Sequence, residues 1–186
     1  MSGGVELVAK VTISGHPGSG TSTLVAGLCN SLGWRKLNGG QVFRDLAKER
    51  GFTLEEFGQM CLDDDSIDQE LDALLTKTML AESSPEIVES RLAGWWAYKN
   101  DLSCARVWIE VSEDVRASRV VDREGGNVEE KLELMRSRME FDGTRYDRFY
   151  GIDINSLEPY SCVIESDNLG KDEVLEKVLM HLEEIQ

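Results

Sequence analysis

The feature that most constrains this chain is a glycine-rich loop between its first predicted strand and its first predicted helix. Residues 7–14 are mainly apolar or β-branched and predict a buried strand, and residues 24–32 carry apolar side chains at helical spacing before Gly33. The loop between them nearly matches G-x-x-x-x-G-K-[S/T], with Thr21 at the lysine position. Such loops wrap phosphates with backbone N–H groups, and the last hydroxyl binds Mg²⁺. The predicted nucleotide-phosphate site comprises Gly15, His16, Pro17, Gly18, Ser19, Gly20, Thr21, Ser22 and Thr23, with Ser22 as the metal ligand.

The charge balance limits what this chain binds. Its 186 residues include 35 acids and 20 bases, a net charge of −15. Nucleic acids and anionic membranes attract basic surfaces, so neither is an expected partner. No run approaches the roughly 20 apolar residues of a membrane span, and no secretory signal is recognisable, so we expect a cytoplasmic protein.

The cysteines (Cys29, Cys61, Cys104 and Cys162) form no Cys-x-x-Cys pair, which predicts reduced, mostly buried thiols.

The rest of the chain alternates strands with helices, which predicts an α/β domain with a mostly parallel sheet covered on both faces. Further strands are predicted at 86–89, 105–111 and 162–165. Helices are predicted at 41–50, from a capping box at Thr53 to Glu56, from near Ser66, from a Ser112 N-cap to about residue 124, from Asn127, and at 171–184. Gly143 is expected near the end of the Asn127 helix or at a kink. The run Asp63-Asp64-Asp65 is expected to be a solvated loop, not a metal site.

Six of the twelve arginines fall between Arg119 and Arg148, in an otherwise acidic chain. This spacing fits either a solvated helix face rich in salt bridges or a cluster that holds phosphates. If the loop binds nucleotide, the charge missing at Thr21 must come from such arginines. The second interpretation would confine the positive field to one cleft.

Four stretches indicate which interpretation applies: ISGHPGSGTST, VFRDLAKERG with LEEF after it, ESRLAGW, and RYDRFYGIDINSLEPYSCVIESD. In this order the chain resembles the archaeal-type cytidylate kinases, a branch of the P-loop nucleoside monophosphate kinases, many of which also carry threonine at the lysine position. The resemblance implies a single kinase domain with a five-stranded parallel sheet, helices on both faces, an acceptor-binding helical insert of about residues 38–84 and a lid of about 124–144. The core would then be residues 1–37, 85–123 and 145–186.

The resemblance also implies roles for individual residues. It assigns the acceptor nucleotide to Asn38, Gly40, Arg44, Arg91, Gly94 and Asp142. Arg119 would bind ATP, and Arg123, Arg138 and Arg145 would be the catalytic arginines. Arg138, Asp142 and Arg145 reproduce an R-x-x-x-D-x-x-R spacing that places all three on one helical face. The implied reaction transfers the γ-phosphoryl group of ATP to CMP or dCMP, with Mg²⁺, in a chain expected to act as a monomer.

The chain also departs from the family pattern. Gln41 replaces a usual acid, Ser90 a usual glycine, and Asn38-Gly39-Gly40 a turn that usually reads S-A-G. Two alternatives therefore stand beside the CMP kinase: a UMP or AMP kinase of the same fold, and a nucleotide-binding regulatory protein without catalysis. The intact arginine set favours an enzyme, because transfer needs positioned cations. The pair Trp95-Trp96 is expected to pack in the core or at an interface and not to stack on a base, and neither His16 nor His181 is expected to act in catalysis.

Overall fold

A computed structural model describes residues 9–185, so Leu7 and Val8 of the predicted first strand lie outside the described residues. The elements follow in the order β1 (Val11–Gly15), α1 (Thr21–Leu32), β2 (Lys36–Asn38), α2 (Gly39–Glu49), α3 (Leu54–Asp63), α4 (Asp65–Met79), β3 (Ile87–Glu89), α5 (Ala93–Lys99), β4 (Ala105–Glu110), α6 (Glu113–Glu124), α7 (Val128–Tyr150), β5 (Cys162–Glu165) and α8 (Lys171–Glu184). The strands form one five-stranded sheet in the order β2-β3-β1-β4-β5, and all pairings are parallel.

The sheet is buried between two layers of helices, as predicted for parallel strands. On one face, α1 and α8 pack through residues such as Leu28 and Val178 onto β1, β3 and β4. On the other face lie α2, α4, α5 and α7, with Trp95 and Trp96 in the core. The prediction that this tryptophan pair packs in the core is therefore confirmed. Within the described residues, no helix combines the length and the apolar character that a membrane crossing requires.

Helix starts follow local capping chemistry. Thr53 and Glu56 form the predicted reciprocal capping box of α3, and Asn127 accepts hydrogen bonds from the first-turn N–H groups of α7. Ser112 precedes α6 as predicted, but its hydroxyl does not cap the helix. Its N–H instead donates to Asp167 Oδ1 at 2.7 Å, which ties α6 to the loop after β5.

Helix α7 continues past the glycine at which its end was predicted. Gly143 lies inside the helix, whose C-terminal glycine is Gly151 with φ of 61°. A helix-interior glycine costs only about 1 kcal/mol relative to alanine, and the buried neighbours Asp142 and Tyr146 keep this segment helical. The expected helix end at Gly143 is therefore wrong, and the lid boundary expected at residue 144 falls within α7.

The acidic run joins two helices, so the loop expected there shrinks to one residue. Asp63 is the last residue of α3, and Asp64 caps α4 by accepting from Ser66 N at 2.9 Å. Asp65 opens α4 and pairs with Arg148 at 3.2 Å. Across the described residues, no group of three histidine, cysteine or acidic side chains forms a metal cluster. All four cysteines are free, but only Cys61 is buried and the other three are half-buried, so the burial predicted for the thiols holds in part.

Candidate active site

The glycine loop connects β1 to α1 in a conformation that requires its glycines. Gly18 and Gly20 have φ of 85° and 92°, which other residues rarely adopt. A Cβ at Gly15 would lie 2.4 Å from Ser19 Oγ, so the loop is also tightly packed. The N-cap of α1 is Gly20, which provides no side chain to cap the first-turn N–H groups. The N–H groups of Thr21 and Ser22 are therefore available to an anion, whereas that of Thr23 donates to the Gly20 carbonyl at 3.1 Å.

A cleft of about 370 Å³ opens in front of this loop, at the carboxyl ends of β1, β2 and β3. Ligands of open parallel sheets bind at this edge because the loops that follow the strands meet there. The cleft brings together most of the residues predicted for the loop, the acceptor site and the catalytic arginines. It is lined by Gly15, His16, Pro17, Gly18, Gly20, Thr21, Ser22, Thr23, Asn38, Gly39, Gly40, Glu89, Ser90, Arg91, Arg123 and Arg138, with Ile13 and Ser14 behind them.

A second cavity of about 180 Å³ lies on the other side of the loop. Leu24, Leu169 and Val174 give it apolar walls, and Arg119 borders it. The Arg119 guanidinium donates to the carbonyl oxygens of Ser19 at 3.1 Å and Ser166 at 2.6 Å. Arg119 is thus fixed between the loop and the end of β5, beside a space that is apolar enough for a nucleobase.

Glu89, at the end of β3, is a cleft residue that the sequence analysis missed. Its side chain is only 6% exposed. One carboxylate oxygen accepts from Ser22 Oγ at 2.8 Å, and the other accepts from Asn38 Nδ2 at 2.6 Å. An acid at the carboxyl end of an otherwise apolar strand, two residues before Arg91, was the signal that could have found it.

Arg91 takes part in a buried charge network with α4 and α7. It forms an ion pair with Asp142, which is 6% exposed, and Asp142 also lies 3.6 Å from Arg145. Arg145 pairs in turn with Asp68 on α4. Burial, followed by the nearby Arg138 charge, lowers the pKa of Arg91 to about 10, so it stays protonated at neutral pH. The network fixes the guanidinium at the edge of the cleft.

Arg116, which the sequence analysis also missed, supports the loop from below. It is 4% exposed and donates to the Val111 carbonyl at 3.1 Å and the Pro17 carbonyl at 3.3 Å. A Cβ at Gly18 would lie 2.9 Å from the Arg116 carbonyl oxygen, so α6 and the loop are in direct contact. Sequence alone gave no sign that this arginine, on an acidic helix, is buried.

His16 is held neutral inside the loop. Burial, followed by the charges of Arg116 and Arg91, lowers its pKa to about 4. Its ring meets Trp108 edge-on at 4.9 Å between centroids. A neutral, packed imidazole fits the prediction that His16 is not a catalytic group.

Other predicted residues lie outside the cleft lining. Arg44 is exposed and donates to Gln41 Oε1 at 2.9 Å, so the amide at position 41 still holds this arginine. Gly94 lies under the Tyr160 ring, and its N–H donates to Ser14 Oγ at 3.3 Å.

Ser90 stands where the family usually has glycine, and Gly39 stands where it usually has alanine. A Cβ at Gly39 would lie 3.2 Å from the Ser90 Cβ, a tight contact. The glycine on α2 thus leaves room for the serine that follows β3.

The fold and the loop define a P-loop nucleotide-binding domain, and a sequence family described as AAA domain matches residues 11–142. Two solved structures share the fold. An uncharacterised protein from Eubacterium ventriosum has a TM-score of 0.72 at 14% identity, covering 94% of this chain and 98% of its own. A gluconokinase from Sinorhizobium meliloti has a TM-score of 0.60 at 18% identity, covering 97% and 94%.

Curated proteins of similar sequence identify the family within this class of domains. A cytidylate kinase from Archaeoglobus fulgidus is 38% identical over 174 residues, 94% of both chains. A cytidylate kinase from Natronomonas pharaonis is 41% identical over 165 residues, covering 88% of this chain and 84% of the relative. The chain belongs to the cytidylate kinase family.

Proposed function

We propose that this protein is an ATP-dependent cytidylate kinase, which transfers the γ-phosphoryl group of ATP to CMP or dCMP. The observation that carries the proposal is the single cleft that joins the phosphate loop to Arg91, Arg123 and Arg138 in a chain of this family. We also propose that the chain acts as a monomer.

ATP would lie across the loop. The N–H groups around Gly18 and Gly20 would hold its phosphates, and the apolar cavity beside Arg119 would take its base. This arrangement points the γ-phosphate into the larger cleft, toward Arg123 and Arg138. Those arginines would offset the charge that spreads over the transferred group in the transition state.

The acceptor phosphate would bind at Arg91. Arg44 would approach it from α2, while Asp142 and Arg145 contact the rest of the nucleotide or hold Arg91 in place. The attacking atom is a phosphate oxygen that is already ionised near neutral pH, so no protein base is required. As the new bond to this oxygen forms, the bond between the γ-phosphorus and ADP breaks. The protein's task is therefore to align the two phosphates and to exclude water with the lid.

The residues at the loop fit Mg²⁺. Ser22 offers a hydroxyl oxygen, and Glu89, hydrogen-bonded to it, offers a carboxylate. Magnesium in kinases commonly keeps water and phosphate ligands and takes only one or two from the protein. When bound, the ion would neutralise charge on the β- and γ-phosphates. Ser22 would hold it, and Glu89 would orient the Ser22 hydroxyl.

The test is to incubate the protein with Mg-ATP and, separately, CMP, dCMP, UMP and AMP, following ADP formation. We expect turnover with CMP and dCMP well above that with UMP and AMP. Faster turnover with AMP or UMP than with CMP would show that the preferred acceptor is AMP or UMP. ATP binding without turnover on any acceptor would support the non-catalytic alternative.

Replacement of Arg91 tests the arginine roles. Arg91→Ala is expected to raise the barrier in kcat/KM by about 2–4 kcal/mol, because it removes a charge from the reacting phosphates. Arg136→Ala is the matched control: Arg136 is exposed, pairs with Glu113 and lies outside the cleft lining. Near-normal kinetics of Arg91→Ala would remove this arginine from the site.

A further inference from the structure

Asn38, which the family resemblance assigns to the acceptor nucleotide, also joins two elements of the cleft. It is the last residue of β2 and the N-cap of α2. Its carbonyl oxygen Oδ1 accepts from Gln41 N at 3.1 Å, which caps α2. Its amide Nδ2 donates to Glu89 Oε2 at 2.6 Å. The two ends of one side chain thus serve two different elements.

Glu89 extends this connection to the phosphate loop. Its other oxygen accepts from Ser22 Oγ at 2.8 Å. A continuous path therefore runs from the hydroxyl that would face the metal, through the buried carboxylate and the asparagine amide, to the first turn of α2. The path joins the donor half of the cleft to the helix that carries Gly40 and Arg44.

The packing around Asn38 keeps its side chain in place. A Cβ at Gly40 would lie 3.0 Å from Asn38 Oδ1, and one at Gly39 would lie 3.2 Å from the Ser90 Cβ. Gly39 allows the start of α2 to approach the end of β3 this closely, and Gly40 leaves room for the Asn38 side chain. An amide is the one side-chain group of this size with a donor for Glu89 and an acceptor for the helix N–H.

We propose that Asn38 is a positioning residue that holds the Glu89 carboxylate against Ser22 while it caps α2. Glu89 accepts a hydrogen bond from each side, so its orientation is fixed. The Ser22 proton then points at Glu89, and the oxygen lone pairs point into the cleft, where Mg²⁺ would bind. The inference rests on the proposed function only in taking Mg²⁺ and ATP as the ligands. It concerns their binding and not turnover.

The substitution Asn38→Asp separates the two contacts. Aspartate caps helices about as well as asparagine, so α2 is retained. At Glu89, however, it removes the amide donor and places one carboxylate against another, so the two side chains repel each other. The variant is therefore expected to keep the cap of α2 and to lose the hydrogen bond that holds Glu89.

The measurement is calorimetric titration of Mg²⁺ with a non-hydrolysable ATP analogue at pH 8, expressed as the ratio of variant to native affinity. We expect a loss of about tenfold or more, the size of a hydrogen bond to a charged group. Thermal unfolding in parallel should show the cap intact. Asn127→Asp, an N-cap asparagine on α7 away from Glu89, is the control for that unfolding measurement.

The double variant Asn38→Asp with Glu89→Gln supplies the reverse pair. The introduced glutamine amide can donate to the introduced aspartate and still accept from Ser22, so binding should recover. Native-like binding by Asn38→Asp, or no recovery in the double variant, would overturn the proposal. Tighter Mg²⁺ binding by Asn38→Asp would also overturn it, because residue 38 would then face the ion. The proposed function fails separately, if the native protein binds but never phosphorylates CMP.

Discussion

Replacement of Gly94 by alanine tests whether this residue packs or binds the acceptor. The new Cβ would lie 2.3 Å from Tyr160 Cε1 and 2.9 Å from Cδ1, against ordinary contacts of 3.4–4 Å. The ring must therefore retreat by roughly 1 Å, and it stands against Trp108 at 5.0 Å between centroids. Overpacking of this kind costs about 1–3 kcal/mol, and here we expect the upper part of that range. Alanine in helix α5 regains up to about 1 kcal/mol.

The net expectation is a loss of about 2 kcal/mol, or a fall in Tm of about 4–8 °C for a chain of this size. Thermal unfolding measures it, and Tyr160→Leu provides the partner for a double-mutant cycle. With the ring removed, Gly94→Ala should be neutral or slightly stabilising, while the KM for CMP stays within about twofold of each parent. Unchanged stability of Gly94→Ala with a KM for CMP raised tenfold or more would refute the packing argument and make Gly94 an acceptor contact.

Two further predictions concern titration. Burial raises the pKa of Asp72 to about 6, although Tyr150 donates to it at 2.9 Å. The folded state thus holds a proton that the unfolded chain releases near pH 4, and stability should fall by up to about 3 kcal/mol as pH rises from 4 to 6. Asp72→Asn should flatten this slope in unfolding curves, and an unchanged slope would exclude Asp72 as its source. Because its pKa is near 4, the His16 ring should show constant NMR shifts from pH 8 to 6, and a midpoint near 6.5 would contradict its burial.

Features with a local chemical cause could be predicted from the sequence. The loop at residues 15–22 combines glycines, a preceding strand and a following helix, and each signal lies within a few residues. The Thr53–Glu56 capping box and the amphipathic helix at residues 171–184 are local in the same way, and all three are present in the structure. The alternation of strands and helices was sufficient to predict the parallel sheet, because right-handed connections between parallel strands leave few possible topologies.

Features that depend on tertiary contacts could not be predicted. Strand β2 has three residues, too few to show a period, and exists because β3 pairs with it. Helix α5 is buried almost all round, so its sequence has no polar face to reveal a helical repeat. Glu89 leaves only a weak sign in the sequence, an acid at the end of an apolar strand, and Arg116 leaves none, yet the fold buries both beside the phosphate loop. Their roles follow from hydrogen bonds that join residues far apart in the chain.

The arginine cluster at residues 119–148 shows why spacing alone does not locate a positive field. Arg136 and Arg148 form exposed ion pairs with acids on other helices, and Arg145 is paired with Asp68, so these three carry little free charge. Arg138 lines the cleft and, within residues 9–185, has neither an ion pair nor a hydrogen bond. An unpaired guanidinium can bind a phosphate without first losing a carboxylate partner. The cleft's attraction for nucleotides therefore depends on which arginines the fold leaves unpaired, more than on how many the sequence gathers.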